Sequence, residues 1–110
     1  KYFKNTNRSE AYLDYDKLHF PLKIRNKRAG DRFKPLNCEY FKKIKSFFID
    51  EKIPLHKRSL IALIVDNSND IVWVTDFQPD NRFKITKSTK KVLYIKKDNL
   101  KKEKTINKEM

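Results

Sequence analysis

Glycine is nearly absent, with Gly30 the only one in 110 residues. A single glycine cannot supply the close backbone approaches from which phosphate-cradling loops are built, so nucleotide hydrolysis within this chain is not expected. Cysteine is equally scarce. With Cys38 alone no internal disulfide can form, and a reducing compartment, the cytoplasm by default, is the natural expectation. Long apolar runs are missing too. The longest, residues 60–65, falls far short of the roughly 20 residues a membrane-spanning helix needs, and no signal-like segment opens the chain. The expected protein is therefore soluble, without a membrane partner. Its first residue is Lys1 and not Met, which points to a piece of a longer polypeptide.

Acids are the remaining shortage. Fourteen Asp and Glu stand against 27 Lys and Arg, leaving a formal charge of +13 and a pI near 9.9. That excess is far beyond what solubility requires, so a polyanion is the expected partner. Biased codon usage and a solvated Lys-rich surface would give the same totals, and position decides between the two. Residues 18–48 carry nine Lys or Arg against two acids, beside well-patterned apolar segments. A disordered basic tail would lack that pattern.

The length suits one domain with a modest core. Residues 1–10 read as linker-like, residues 11–96 as the domain, and residues 97–110 as a basic, fraying tail with little to bury. From Leu18 the residues Leu18, Phe20, Leu22 and Ile24 alternate with polar neighbours, the pattern of a half-buried strand. Pro21 lacks a backbone donor, which puts that strand at a sheet edge or interrupts it. Gly30 follows in Arg28-Ala29-Gly30-Asp31, where a left-handed turn is expected. Phe41, Ile44, Phe47 and Phe48 keep helical spacing, giving one main amphipathic helix at about residues 42–51. Pro54 to Arg58 suit a second short helical turn. Two β-branched runs flank Asp66-Asn67-Ser68-Asn69-Asp70 and form a hairpin at about residues 60–75, while residues 92–95 supply a last strand. The fold class that results is α+β and β-rich.

Catalytic groupings are thin. Cys38, His19 and His56 lack the spacing of metal ligands, so no metal site is expected. Asp14 with Asp16, and Asp50 with Glu51, are the acids from which a small metal-dependent nuclease would have to be built, although such acids usually pair with surface cations. The basic groups form a better pattern. Arg25, Lys27, Arg28, Arg32 and Lys34 crowd the strand and turn, Lys42, Lys43 and Lys45 extend the patch, and Arg82 and Lys84 begin a second cluster with Lys87, Lys90 and Lys91. Arginine forks can grip phosphate at two points. Among nearby aromatics, Phe33 and Phe83 suit the core, and Tyr40 is open to base stacking.

In order and spacing, the segments PLKIRNKRAGDRFKPL, KKIKSFFIDEKIP, DIVWV and DNRFKITKSTKKVLYI resemble the C-terminal domain of bacterial tRNA(Ile)-lysidine synthases. The resemblance covers about residues 12–95. It implies a compact β-sandwich-like domain of unusual topology, and a parent ligase that adenylates the wobble cytidine of an isoleucine tRNA with a CAU anticodon and then lets lysine displace AMP. ATP and magnesium would belong to the parent's N-terminal catalytic domain, whose SGGxDS loop has no counterpart here. This part, by implication, has no cofactor and no catalytic residue, and helps hold the acceptor-stem side of the tRNA. The match places Arg25, Arg28, Gly30, Asp31, Arg32 and Phe33 in the family's GDRF segment, and Lys42, Lys43, Phe47 and Phe48 in its helix. The implied RNA contacts are Arg25, Arg28, Arg32, Lys42 and Lys43, then Arg82 and Lys84.

Two departures accompany the resemblance. Glycines usual after the segment matching Pro35-Leu36 are replaced here by Asn37-Cys38-Glu39-Tyr40-Phe41, and Gly and Arg are replaced by Asp76 and Gln78. Fewer glycines restrict loop conformations and a lost Arg removes a cation, which leaves the tRNA preference of these loops open. A free-standing basic RNA- or DNA-binding module is the alternative function, and an exposed strand edge leaves room for a homodimer.

Overall fold

The two apolar, β-branched runs form the centre of the fold. In the computed structural model, which describes residues 8–97, β5 (Leu63–Val65) and β6 (Ile71–Val74) pair antiparallel, and every residue of both strands is buried. Strands buried on both faces read as continuous apolar runs and not as alternation. The pair sits within a four-stranded sheet, β2 (Lys23–Arg25), β5, β6 and β7 (Gln78–Pro79), all antiparallel. Two further ribbons complete the β structure. One joins β1 (Glu10–Asp14) to β8 (Val92–Lys96), and the other joins β3 (Arg32–Phe33) to β4 (Lys42–Lys43). Helix α1 spans Ile44–Asp50 and the short α2 spans Leu55–Arg58.

A different set of partners covers each face of the central pair. On one face Ile64, Val72 and Trp73 meet Ala11 and Leu13 of β1, Leu93 and Ile95 of β8, Leu18 and Phe83. On the other, Leu63, Val65, Ile71 and Val74 meet Phe33 of β3 and Ile44, Phe47 and Phe48 of α1. A register slip makes this division possible. Ile64 pairs with Trp73 but Val65 pairs with Ile71, so Val72 is an extra residue in β6. Such a bulge puts two consecutive side chains on one face, which is why Val72 and Trp73 share a cluster.

The hairpin, the last strand and the helical turn after Pro54 stand where the sequence reading expects them. The main helix is shorter. Lys42 and Lys43 pair with Phe33 and Arg32 as a strand, and α1 begins only at Ile44. Phe41 keeps helical spacing by coincidence; it lies outside the helix and is 46% exposed. The helix start has no side-chain cap. Instead the Ile44 N–H donates to the Asp31 carbonyl at 2.9 Å, so a tertiary bond satisfies a donor that helix geometry leaves free. At the other end Lys52 takes φ +60, and the Ile53 N–H reaches the Phe48 carbonyl at 3.0 Å, a Schellman closure with Lys where glycine is usual.

The expected strand from Leu18 contracts to Lys23–Arg25. Pro21 interrupts it and β2 is a sheet edge, while Phe20 turns outward against Tyr15, ring centroids 4.9 Å apart. Glu10, placed in the linker-like segment from sequence, is the first residue of β1. Residues 1–7 and 98–110, most of the expected linker and tail, lie outside the described residues. Among the described residues no helix is long and apolar enough to cross a membrane.

Candidate nucleic-acid interface

The β3–β4 ribbon has two unlike faces because its strands alternate. Phe33 points inward, fully buried, and meets Phe47 edge-on at 5.0 Å. Its neighbours Arg32 and Lys34 therefore share the outward face. Arg32 pairs with Lys43 across the ribbon, and the next step of the same register sets Lys34 opposite Phe41. The outward face thus carries three cations around one exposed aromatic ring. The Arg32 guanidinium lies 5.2 Å from the Phe41 centroid and the Lys34 ammonium 5.1 Å. Arg82 arrives from the far side of the sheet order, 4.9 Å from the same centroid.

Asp80 brings Arg82 there. This carboxylate is fully buried, and a buried charge persists only when paired and hydrogen-bonded. Its Oδ1 accepts from the Arg82 backbone N–H at 2.7 Å and from Arg82 Nε at 2.9 Å. Its Oδ2 accepts from a terminal guanidinium nitrogen of Arg82 at 2.9 Å and from the Lys34 backbone N–H at 2.9 Å. One carboxylate thus joins the ribbon to the 3-10 turn Asn81–Phe83. The Asp80 carboxylate raises the Arg82 pKa further above its ordinary value, against the opposing effect of burial, with help from Asp70.

A second, half-buried clamp shapes the basic turn before β3. The Arg25 fork donates to Asp31 at 2.9 and 3.0 Å, and the Arg28 backbone N–H donates to the same carboxylate at 2.7 Å. Gly30 between them takes φ +86, the left-handed turn expected of it. Burial pushes the Asp31 carboxyl up, but hydrogen bonds from Arg25 and Arg28 and the charges of Arg25 and Lys27 outweigh it and hold the pKa below its ordinary value. Arg25, with its side chain only 12% exposed, thus directs its fork into the protein.

The remaining basic residues separate into groups. Arg28 is exposed and, with Lys23, Asn67 and Asn69, lines a concavity of about 260 Å³ beside β2. Lys27 and Lys84 are half-buried, and Lys45 is exposed on the first turn of α1. Lys42, on the inward-facing register of the ribbon, pairs with Asp50. Arg32, Lys34, Lys43 and Lys45 have no ion-pair partner among the described residues. Of the aromatics weighed from sequence, Phe33 and Phe83 are buried and Tyr40 is 79% exposed.

Sequence reasoning passed over Phe41 and Asp80. An Asp two residues before an Arg, at the start of a short turn, is the signal for Asp80, since Asp commonly accepts the N–H two residues on.

The loop between β3 and β4 is fastened to the same turn. Leu36 N–H donates to Gln78 Oε1 at 2.6 Å, Asn37 N–H to Asn81 Oδ1 at 2.9 Å, and Asn81 Nδ2 to the Cys38 carbonyl at 3.2 Å. Asn37 and Asp76 stand at φ +63 and +70. These are two of the positions where the resemblance calls for glycine. Asn and Asp are the side chains that tolerate the left-handed region best after glycine, so the loops keep a glycine-like path without it.

Two of the four carboxylates from which a nuclease would be built have partners within the fold. Asp14 accepts from the Asp16 N–H and Thr89 Oγ1, and Asp50 meets Lys42. Among the described residues no three His, Cys, Asp or Glu side chains gather to hold a metal ion. With one glycine and no such cluster, these residues do not fit ATP or magnesium, and no chemical step is assigned to them.

Fold and surface define a small antiparallel β domain that supports one main helix, α1, and a cationic ribbon. The family model described as the TilS substrate C-terminal domain matches residues 22–95, and the chain belongs to that family. It is 43% identical over 84 residues to the tRNA(Ile)-lysidine synthase of Caldanaerobacter subterraneus subsp. tengcongensis, covering 76% of this chain and 18% of that protein. The Parabacteroides distasonis tRNA(Ile)-lysidine synthase is 42% identical over 89 residues, 81% of this chain and 20% of that one. The chain therefore spans about a fifth of the length of these relatives. In three dimensions it is similar to a solved structure titled as a TILS C-terminal domain, with TM-score 0.72, 23% identity, 86% of this chain and 72% of that chain covered; this likeness shows the fold.

Two outcomes test the clamps. Asp80→Asn is expected to lower the unfolding free energy in urea by about 1.5–3 kcal/mol, the range for lost hydrogen bonds to a charged group. Asp70→Asn, whose partly exposed contact to Arg82 spans 3.4 Å, should cost less than about 1 kcal/mol. Equal costs would remove Asp80 from its central place. For Asp31, a lowered folded pKa contributes stability that is present above the unfolded value, about 3.9, and lost as pH falls through the folded value. Asp31→Asn should therefore destabilise the protein at neutral pH and flatten its loss of stability below about pH 4. An unaltered acid limb in thermal melts would contradict the clamp.

Proposed function

We propose that this domain is the noncatalytic tRNA-holding part of a tRNA(Ile)-lysidine synthase. In this reading it grips the acceptor-stem side of an isoleucine tRNA with a CAU anticodon, in the cytoplasm. The N-terminal domain of the same polypeptide, with ATP and magnesium, modifies the wobble cytidine at the far end of the tRNA. The contribution of this domain is positional, since holding one end of a long substrate turns a second encounter into an intramolecular one.

The observation that carries the reading is the set of cations without carboxylate partners on one face, Arg32, Lys34 and Lys43, with Lys45 on the adjoining helix turn. Unpaired cations on a rigid ribbon repel one another and gain most from a partner whose charges are regularly spaced, as in a phosphate backbone. Arg25, Lys27 and Arg28 lie beside this face through the bond from Ile44 to Asp31, where Arg25 supports the turn and Arg28 remains available. Membership of the family supports the tRNA and the ligase in this reading.

Binding of the 110-residue chain to an isoleucine CAU tRNA transcript, its acceptor-stem mini-helix and a duplex DNA of equal charge, across a salt series, tests this function. Both RNAs should bind more tightly than the DNA. Arg32→Ala with Lys43→Ala should reduce the slope of log affinity against log salt by about two units, roughly one for each phosphate contact removed. A folded double mutant with an unaltered slope, or equal binding to all three nucleic acids, would contradict the reading.

A further inference from the structure

An exposed phenylalanine among cations is an odd way to bind phosphate alone. Three cations around the Phe41 ring, at 4.9 to 5.2 Å from its centroid, are held by the ring quadrupole, yet among the described residues only Arg82 of the three has carboxylate partners. The ring itself stays 46% exposed, next to Tyr40 at 79%. Phosphates on a duplex would satisfy Arg32 and Lys34 without any aromatic. The part of the ring that the cations leave exposed can take a base that is free of its own stack, and such bases are characteristically held on aromatic side chains with cations on the adjoining phosphate.

The platform is also pre-organised. Phe41 lies at the mouth of β4, and the loop that leads to it is tied to Gln78 and Asn81 by three hydrogen bonds. Beneath it the Asp80–Arg82 pair fixes one of the cations in place. A ligand thus meets a ring and charges whose positions are already set, which lowers the ordering cost of binding.

We propose that Phe41, with Arg32 and Lys34, forms a stacking site for an unpaired nucleotide of RNA, the base lying against the aromatic platform and the phosphate between the two cations. This deepens the tRNA-holding function and rests on it. It also divides the face by task. Lys43 and Lys45 would meet duplex phosphates, and Phe41 would select an end or bulge where a base is free.

The test uses the 110-residue chain and three RNA hairpins of identical stem. One is blunt, one carries an unpaired four-nucleotide 3′ extension, and one carries an extension of equal charge made of abasic nucleotides. The native chain should bind the extension with bases about ten-fold more tightly than the abasic one, the lower part of the range for stacking one base on an aromatic. Phe41→Leu, which keeps an apolar side chain at a half-exposed site, should abolish that difference and leave blunt-hairpin binding and the salt slope unaltered. Phe41→Tyr should retain the difference. Equal binding of the two extensions by the native chain, or a preference that survives Phe41→Leu, overturns the stacking site while the electrostatic hold on RNA stands. Failure of the native chain to bind any of the hairpins overturns both.

Discussion

The buried carboxylate of Asp80 is the constraint on which the cationic face depends. It ties the backbone of Lys34, at the end of β3, to the backbone and guanidinium of Arg82 in the turn after β7. The β3–β4 ribbon, with two residues per strand, is too short to hold a shape alone, and this carboxylate joins the buried Phe33 ring and the bonds from Asn81 and Gln78 in fixing it. With these ties, the ribbon becomes a fixed extension of the central sheet. The same logic recurs at Asp31, where a carboxylate takes the Arg25 fork and its carbonyl receives the helix start. In a chain so rich in cations, these acids are placed where basic segments must be shaped. Arg32, Lys34 and Lys43, without acid partners among the described residues, then share the outward face of the ribbon.

This arrangement explains why total charge does not reveal which cations are already committed within the fold. Arg25 and Arg82 look like phosphate ligands in sequence, yet each directs a two-point fork onto a carboxylate inside its own chain. The fork geometry that suits phosphate suits a carboxylate equally well. The two uses differ in how legible they are: the partner of Arg25 lies six residues away across a turn, while the partner of Arg82 is only two residues away, a local signal that the basic pattern around it obscured.

Elements with a long apolar signal were readable: β5, β6, β8 and most of α1 follow from β-branched runs or helical spacing. What escaped was short. The β3–β4 ribbon has two residues per strand, too few for any period to register, and its Lys42 and Lys43 were absorbed into the helix that follows. Phe41 was misplaced for the same reason, since a spacing of three residues to Ile44 fits a helix as well as a coincidence. The bulge at Val72 was invisible because a run buried on both faces has no alternation to break. Asn37 and Asp76 show the opposite case. Their departure from glycine looked like a change in the loops, yet both adopt the left-handed backbone that glycine would, so the change of residue preserved the path of the chain.

The central claim is that the outward face of the β3–β4 ribbon meets the tRNA. Amide chemical shifts of the isotope-labelled chain, followed during titration with the acceptor-stem mini-helix, test it most directly. The largest changes are expected at Arg32, Lys34, Phe41, Lys43 and Arg82, with little effect around Leu55 and Leu60 on the helical side. Changes centred on α2, or spread evenly over all exposed lysines, would contradict it and leave the ribbon as an element of the fold alone.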